Sequence, residues 1–295
     1  MEWNELRAFL AVAQAGSFSR AAEQLHVTQP AVSKRIQALE TGLGVRLFDR
    51  VGKRVHLTDA GRILEPRAKA LLADLRDTEV RLRNLHERVD GRLRLATSHH
   101  VGLHRLAPIL RAFSQQYPSV ELEIEFVDSE DAHDRVAAGE VELAVVTLDP
   151  RGDPRIDARP LWHDPLDFVA AVDHPLVSRT HIALAELGAV AAILPGLGTY
   201  TGRIVAARFR ESGVTLRTAM ETNYLETIGM LVGIGLGWSV LPRTMVKPPL
   251  ARLDVDCELL GRDLGCVTNP VRTQSNAARA FVDVLANYAD RAFAK

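Results

Sequence analysis

Three short helical patterns follow one another within the first 45 residues, and no other feature restricts the possible folds as strongly. Apolar residues recur at spacings of three and four in each pattern, and Gly16 and His26–Val27 separate the patterns. Because the connecting segments are so short, the three helices must pack around one small core. The sequence predicts a helix-turn-helix, whose inward residues are Leu6, Phe9, Leu10, Ala13, Ala21, Ala22, Leu25, Val32, Ile36 and Leu39.

The outer face of the third helix has the chemistry that a DNA major groove requires. The helix begins after Thr28, and Pro30 is tolerated in its first turn because that N–H needs no intrahelical partner. A glutamine can bond adenine bidentately, small residues allow close approach, and cationic residues can bind phosphate or guanine. A solvated face of any three-helix domain is the alternative. The outward residues are Gln29, Ala31, Ser33, Lys34 and Arg35.

A cationic tip lies between two short apolar stretches that follow the third helix. Leu47–Val51 and Val55–Leu57 flank Gly52, Lys53 and Arg54. The pattern predicts a β-hairpin whose tip could lie along the minor groove or the phosphate backbone. An ordinary solvated turn fits the same residues.

Charge is unevenly distributed along a chain whose net charge is only −1. Residues 1–58 hold eight basic and five acidic side chains, residues 59–90 hold seven of each, and the remainder carries −4. A basic head on an acidic body is expected when only the head meets phosphate, although differences of a few charges are common.

The first sixty or so positions resemble, without a gap, the signature of LysR-type transcription regulators. The resemblance implies a winged helix-turn-helix over residues 1–58, a linker helix over 59–90 and an effector domain over 91–295. The DNA contacts that it implies are Gln29, Pro30, Ser33, Lys34 and Arg35, supported by Arg50, Lys53 and Arg54. The matching residues are Phe9, Gly16–Phe18, Ala21, Ala22, Leu25, Gln29–Ser33, Ile36, Leu39, Glu40, Leu43, Gly44, Leu47, Phe48, Arg50, Leu57, Thr58, Ala60 and Gly61.

A long amphipathic pattern begins at Thr58 and continues to about Val89. Pro66 lies one turn into it, where a proline bends a helix slightly. The pattern alone fits either a partner helix or packing on the same domain, whereas the resemblance implies pairing of two subunits in a homodimer or tetramer. The heptad positions of this seam are Leu64, Ala68, Leu71, Leu75, Thr78, Leu82, Leu85 and Val89.

Strand and helix patterns alternate through residues 91–295 and predict an α/β fold with a doubly wound sheet. The resemblance implies more: a two-lobed body similar to periplasmic solute-binding proteins of type 2. Lobe I would comprise residues 91–162 and 267–295, and lobe II residues 163–266. Two strands would cross between the lobes, near Leu161–Asp167 and Asp263–Val267.

Several polar segments follow predicted strands, where ligands of open α/β sheets bind beside helix N-termini. Hydroxyl groups and backbone N–H groups at such positions suit a small anion or carboxylate. We therefore expect a small-molecule effector between the lobes. The expected contacts are Thr97, Ser98, His99, His100, Thr147, Pro195, Thr199, Tyr200 and Asn223.

His99, His100 and His104 raise the question of a metal ion. We expect none, because no acidic residue or cysteine lies beside them in the sequence and adjacent histidines rarely chelate one ion. Contact with an anionic ligand and ordinary surface chemistry both remain open. Cys257 and Cys266 have no neighbouring basic cluster that would activate a thiol, so we expect no redox switch.

No nucleophile elbow, P-loop or pair of carboxylates with a base occurs, so we expect neither catalytic residues nor a cofactor. A solute-binding or enzymatic α/β protein with an accessory head is the competing hypothesis. Met1–Glu5 lacks the features of a secretory signal and no stretch could span a bilayer, so we expect a cytoplasmic protein without a membrane partner. The expected partners are promoter DNA, an effector, further copies of the chain and RNA polymerase.

Overall fold

The computed structural model describes residues 1–51 and 54–290, without the side chains of Arg50, Val51 and Arg54. The chain divides into two compact units: the first comprises Met1–Leu85 with Ala138–Glu140, and the second comprises the other described residues. The first is helical with one hairpin, and the second is an α/β unit, which confirms the expected fold class. Within the described ranges, no helix combines the length and apolar character needed to cross a membrane.

The first unit contains the predicted three helices, the hairpin and the long helix. The first helix ends at Gly16, whose φ of +60° is a left-handed conformation that glycine adopts without strain. The predicted inner stripe of the third helix is buried, together with Leu6, Phe9 and Val12. The elements are α1 (Trp3–Ala15), α2 (Phe18–Gln24), α3 (Gln29–Leu43), β1 (Phe48–Val51), β2 (Arg54–Leu57) and α4 (Asp59–Asn84).

Helix α4 ends at Asn84, earlier than the predicted end near Val89. Glu87 has a φ of +52°, which an α-helix cannot include, and this conformation stops the helical pattern. The seam also divides into two parts. Ala68 packs in the core of the first unit, whereas the later seam positions Leu71, Leu75, Leu82 and Leu85 are 41–76% exposed.

The second unit begins with parallel strands and connecting helices. A π-helical turn, Gly102–Leu106, joins its first two helices. The elements are β3 (Gly91–Thr97), α5 (His99–Val101), α6 (Ala107–Gln116), β4 (Val120–Phe126), α7 (Ser129–Ala138), β5 (Leu143–Thr147), β6 (Asp157–Ala171), α8 (Leu184–Ala189), β7 (Ala192–Leu194), α9 (Tyr200–Glu211), β8 (Thr218–Glu221), α10 (Leu225–Gly233), β9 (Ser239–Pro242), β10 (Leu250–Arg252), β11 (Leu260–Thr268) and α11 (Asn276–Ala286).

Two long strands connect the lobes of this unit. In the main sheet the order is β10-β6-β11-β5-β3-β4, with β9 also paired to β6. Strand β3 is parallel to both β4 and β5, while β11 is antiparallel to β5 and β6. The expected crossing segment Leu161–Asp167 lies within one long strand, β6. Strands β7 and β8 form a separate parallel pair in lobe II.

Each crossing strand contributes side chains to two different apolar cores. On β6, Trp162 packs with Leu93 and Phe113 in one cluster, whereas Leu166 packs with Phe209 and Trp238 in another. On β11, Leu264 belongs to the first of these clusters and Leu260 to the second. Each lobe therefore has its own core. The parts of β6 and β11 that connect the two cores are paired with each other.

Two helical glycines of the first unit give a matched test of its packing. A Cβ on Gly61 would lie 2.3 Å from the carbonyl oxygen of Leu47, whereas a Cβ on Gly42 would meet nothing within 4 Å. We expect Gly61→Ala to destabilise the first unit by about 1–3 kcal/mol through overpacking against backbone. Gly42→Ala should instead stabilise it by about 0.5–1 kcal/mol, because alanine loses less entropy in a helix.

Urea unfolding monitored by circular dichroism measures both effects. Equal midpoints for the two variants would contradict the packing of α4 against the segment before β1.

Candidate functional site

The outer face of α3 presents the side chains that were predicted to contact DNA. Gln29, Pro30 and Lys34 are exposed, while Ser33 and Arg35 are half-buried. The Gln29 Nε2 donates to the Ser33 Oγ at 2.9 Å, one helical turn further along. This pair is preorganised on the surface, and its role in reading bases stays a prediction.

The hairpin is fastened to α3 by one carboxylate. Oε1 of Glu40 accepts hydrogen bonds from the backbone N–H groups of Leu47 at 2.7 Å and Phe48 at 3.3 Å. Strands β1 and β2 pair antiparallel from Phe48 and Leu57 to Val51 and Arg54, as expected for a wing. The predicted contact Lys53 lies outside the described residues, as do the side chains of Arg50 and Arg54.

The second unit holds a cavity of about 210 Å³ between lobe I and lobe II. It lies where β3, β4 and β5 end, opposite the N-terminal turns of α9 and α10. The structure brings eight of the nine predicted effector contacts to its wall, namely Ser98, His99, His100, Thr147, Pro195, Thr199, Tyr200 and Asn223.

Thr97 does not line this cavity. Its side chain is fully buried, and its Oγ1 donates to the carbonyl oxygen of Val145 at 2.7 Å, on the neighbouring strand. As the last residue of β3, Thr97 points into the sheet, and alternation along the strand turns the next residue, Ser98, toward the cavity. The Ser98 Oγ is buried and has no hydrogen-bond partner among the described residues.

Several charged residues that the sequence analysis did not indicate also line the cavity, among them Asp128, Glu130 and Arg262. Asp128 and Glu130 follow β4, so the strand-end rule that selected the other segments would also have found them. No local signal marks Arg262, which lies within the crossing strand β11.

Carboxylates of lobe I contact hydrogen-bond donors of lobe II across the cavity. Oε1 of Glu130 accepts a hydrogen bond from the backbone N–H of Tyr200 in the first turn of α9. Oδ2 of Asp128 accepts one from Nδ2 of Asn223 at 2.7 Å. Burial raises the pKa of Glu130, whereas its backbone hydrogen bonds and Arg203 oppose that shift. The N-terminal turn of α9 therefore already holds a carboxylate.

A buried ion pair forms part of the cavity wall. Nε of Arg262 donates to Oδ2 of Asp164 at 2.9 Å, and its Nη1 donates to Oγ1 of Thr201 at 2.7 Å. Arg262 and Asp164 are 8% and 1% exposed, and burial lowers the pKa of the guanidinium while Asp164 raises it. The pair places a guanidinium, neutralised by Asp164, in the cavity wall and ties β11 to α9.

His100 and His104 lie beside an acidic residue that is distant from them in the sequence. Oε1 of Glu226, in the first turn of α10, lies 3.3 Å from Nδ1 of His100 and 2.9 Å from Nε2 of His104. This carboxylate lies 126 and 122 positions from the two histidines, so the local sequence could not show it. Burial, and next the charge of Arg262, lower the pKa of His100 to about 4, so this ring is neutral at pH 7.

The two cysteines are in environments that favour the protonated thiol. Burial raises the pKa of Cys266 to about 12, and burial also raises the pKa of Cys257. A thiolate is the reactive form of cysteine, so neither residue is activated for redox chemistry.

Two family models match most of the chain. Residues 3–62 match the bacterial regulatory helix-turn-helix protein of the lysR family, and residues 86–290 match the LysR substrate binding domain. The RuBisCO operon transcriptional regulator of Allochromatium vinosum is 34% identical over 238 residues, which are 80% of this chain and 78% of that protein.

Solved structures share the fold. CbnR, a LysR family transcriptional regulator complexed with its target DNA, matches with a TM-score of 0.67 and 24% identity, over 98% of this chain and all of CbnR. The regulatory domain of Synechocystis CcmR, solved in complex with 2-PG, matches with a TM-score of 0.62 and 26% identity, over 68% of this chain and 99% of that one. The chain thus belongs to the LysR family of transcription regulators, with a DNA-binding head and an effector-binding domain, and is not an enzyme.

Proposed function

We propose that this regulator binds a small anionic effector in the cavity between lobe I and lobe II, and that the bound effector changes how the protein binds DNA. The proposal rests mainly on the hydrogen bond that the Tyr200 N–H donates to the Glu130 carboxylate. Free N–H groups and the helix dipole make a helix N-terminus a binding site for anions. A carboxylate or phosphate of the effector would take the place of Glu130 at α9.

Other groups around the cavity support an effector with several oxygens. The buried Ser98 hydroxyl lacks a partner among the described residues, and the Arg262 guanidinium, although paired with Asp164, lines the cavity. The volume of about 210 Å³ is below the roughly 300–1,000 Å³ of sites for drug-sized ligands, which favours a small guest. The CcmR regulatory domain was solved with 2-PG, and 2-phosphoglycolate is a guest of this kind.

Exchange of Glu130 for an effector would couple the cavity to the arrangement of the lobes. Glu130 and Asp128 now join lobe I directly to Tyr200 and Asn223 of lobe II. An anion that takes these donors would replace direct contacts between the lobes by contacts through itself. Its effect on DNA affinity is limited by its differential affinity for the two arrangements, and such couplings are typically about 1–3 kcal/mol.

We further propose that α3 contacts bases in the major groove and that α4 pairs with α4 of a second copy. The exposed Gln29 and Lys34 support the first part, and the exposed leucines of the seam support the second. A homodimer or tetramer would present two heads to one site, where RNA polymerase is a natural further partner. Because the regulator must reach promoter DNA, we place it in the cytoplasm.

Substitutions at Ser98 and Glu130 should change anion affinity in opposite directions. Ser98→Ala removes a hydroxyl donor and should weaken binding about tenfold, as expected for a hydrogen bond to a charged group. Glu130→Gln removes a negative charge that competes for the same donor and should tighten binding about tenfold or more. Glu211→Gln, at the opposite end of α9 and exposed, should change nothing.

Calorimetric titration of the full-length variants with 2-PG and with inorganic phosphate measures these affinities. If Glu130→Gln binds both anions no more tightly than Glu211→Gln does, the anionic class of the effector is wrong.

Gln29→Ala should reduce sequence preference more than total affinity for DNA. A bidentate contact to a base contributes about 1–3 kcal/mol of discrimination, so specific binding should fall roughly ten- to a hundredfold while binding to random duplexes changes little. Gln37→Ala, two turns further along α3 and also exposed, is the matched control. Fluorescence anisotropy on operator and random duplexes tests this, and equal losses on both duplexes would refute a base-reading role.

The combined change of Leu75→Glu and Leu82→Glu should give monomers. Both leucines are exposed seam positions, and burying two carboxylates against a partner helix would be strongly unfavourable. Ala70→Glu is the control, because this exposed residue shares the polar face of α4 with Asp74 and Arg81. Light scattering gives the molar mass, and a double variant that keeps the wild-type mass would exclude pairing through this seam.

A further inference from the structure

His100, His104 and Glu226 bring three metal-ligating groups together at the edge of the cavity. One ligand atom from each residue lies within 4.8 Å of the other two. The histidines belong to lobe I and the glutamate to lobe II. We propose that these three side chains bind a divalent transition-metal ion of the Zn²⁺ class and that the ion bridges the two lobes.

The local fold places both imidazole rings on one side of the helix. His100 lies in α5 and His104 lies four residues later in the π-helical turn, so the two residues face the same way. Their ring centroids are 4.5 Å apart with a tilt of 42°. Extra turns of π-helix inside α-helices occur frequently at functional sites. Two histidines at this spacing are a common pair of zinc ligands on a helix.

The third ligand has the separations that coordination requires. Zinc bonds to nitrogen and oxygen of about 2.0–2.1 Å in a tetrahedral site put neighbouring ligand atoms roughly 3.3 Å apart. Oε1 of Glu226 lies 2.9 Å from His104 Nε2 and 3.3 Å from His100 Nδ1. An ion can therefore enter between these atoms after only small movements of the three side chains.

Hydrogen bonds within the cluster do not satisfy both carboxylate oxygens of Glu226. Both histidines converge on the same oxygen of Glu226, while its Oε2 is buried and has no hydrogen-bond partner in the described part of the chain. A buried carboxylate oxygen without a partner is unfavourable. A metal ion held by the carboxylate would compensate the charge at both oxygens.

The surroundings allow an ion to enter and to complete its ligand set. The side chains of His104 and Glu226 are 43% and 33% exposed, so the cluster opens to solvent on one side. Water, or an oxygen of the effector, could supply the remaining ligand. The nearby charge of Arg262 is paired with Asp164 and so repels an ion less than a free guanidinium would. Two imidazoles and one carboxylate suit Zn²⁺, Co²⁺ and Ni²⁺ better than Mg²⁺ or Ca²⁺.

The test uses full-length, untagged protein freed of metal by a chelator and titrated with ZnCl₂ in a calorimeter. We expect one strong site per chain, weakened at least tenfold in His104→Ala and in Glu226→Gln. His163→Ala is the matched control, because His163 is an exposed histidine 2.9 Å from one carboxylate, Asp263, and should bind as wild type does. Circular dichroism checks that each variant folds, and the exposed His104 position should tolerate alanine.

The visible absorption of added Co²⁺ gives a second, independent readout of coordination. It should show the intense bands of a four-coordinate ion in wild type and in His163→Ala, and lose them in the two cluster variants. Equal Zn²⁺ affinity in all four proteins, or no binding by wild type, would overturn the site. Loss of affinity in His104→Ala with none in Glu226→Gln would overturn the bridge between the lobes.

Discussion

The pairing of β6 with β11 is the constraint on which the second unit depends, because both strands run through both lobes. Arg262 and Asp164 stand directly opposite each other in this pairing and form a buried ion pair. Removing one partner of such a pair leaves an uncompensated buried charge, which typically costs about 3–5 kcal/mol. The same guanidinium holds Thr201, so the strand crossing also fixes the first turn of α9 at the cavity.

The contacts that close the lobes around the cavity are of a different kind. Each of them has a carboxylate side chain on one side: Asp128 with Asn223, Glu130 with the Tyr200 N–H, and Glu226 with two histidines. A small molecule or an ion can replace such contacts without disturbing the strands. The second unit thus combines a fixed crossing with exchangeable contacts, which is the combination that a ligand-dependent change in lobe arrangement requires.

Periodicity predicted the elements well where the signal is local. The spacing of apolar residues in α3 predicted its inner stripe, and that stripe is buried. The end of α4 escaped prediction because no glycine or proline marks it, and Glu87 adopts a left-handed conformation instead. Strands β9 and β10 are four and three residues long, too short for a periodic pattern.

The cavity was predictable to the extent that it obeys the strand-end rule. That rule selected eight residues that line the cavity and also Thr97, whose side chain turns into the sheet. Arg262 and Glu226 could not be found in this way. Their partners Asp164 and His100 lie 98 and 126 positions away, and only the register of the crossing strands and the packing of the lobes bring them together.

A crystal structure of the full-length protein with 2-PG tests the proposed effector binding in the cavity most directly. We expect an oxygen of 2-PG to accept the hydrogen bond from the Tyr200 N–H, with the Glu130 carboxylate moved away and the Ser98 hydroxyl donating to the ligand. A 2-PG molecule bound elsewhere, or bound in the cavity while Glu130 stays on the Tyr200 N–H, would contradict the exchange on which the proposed regulation rests.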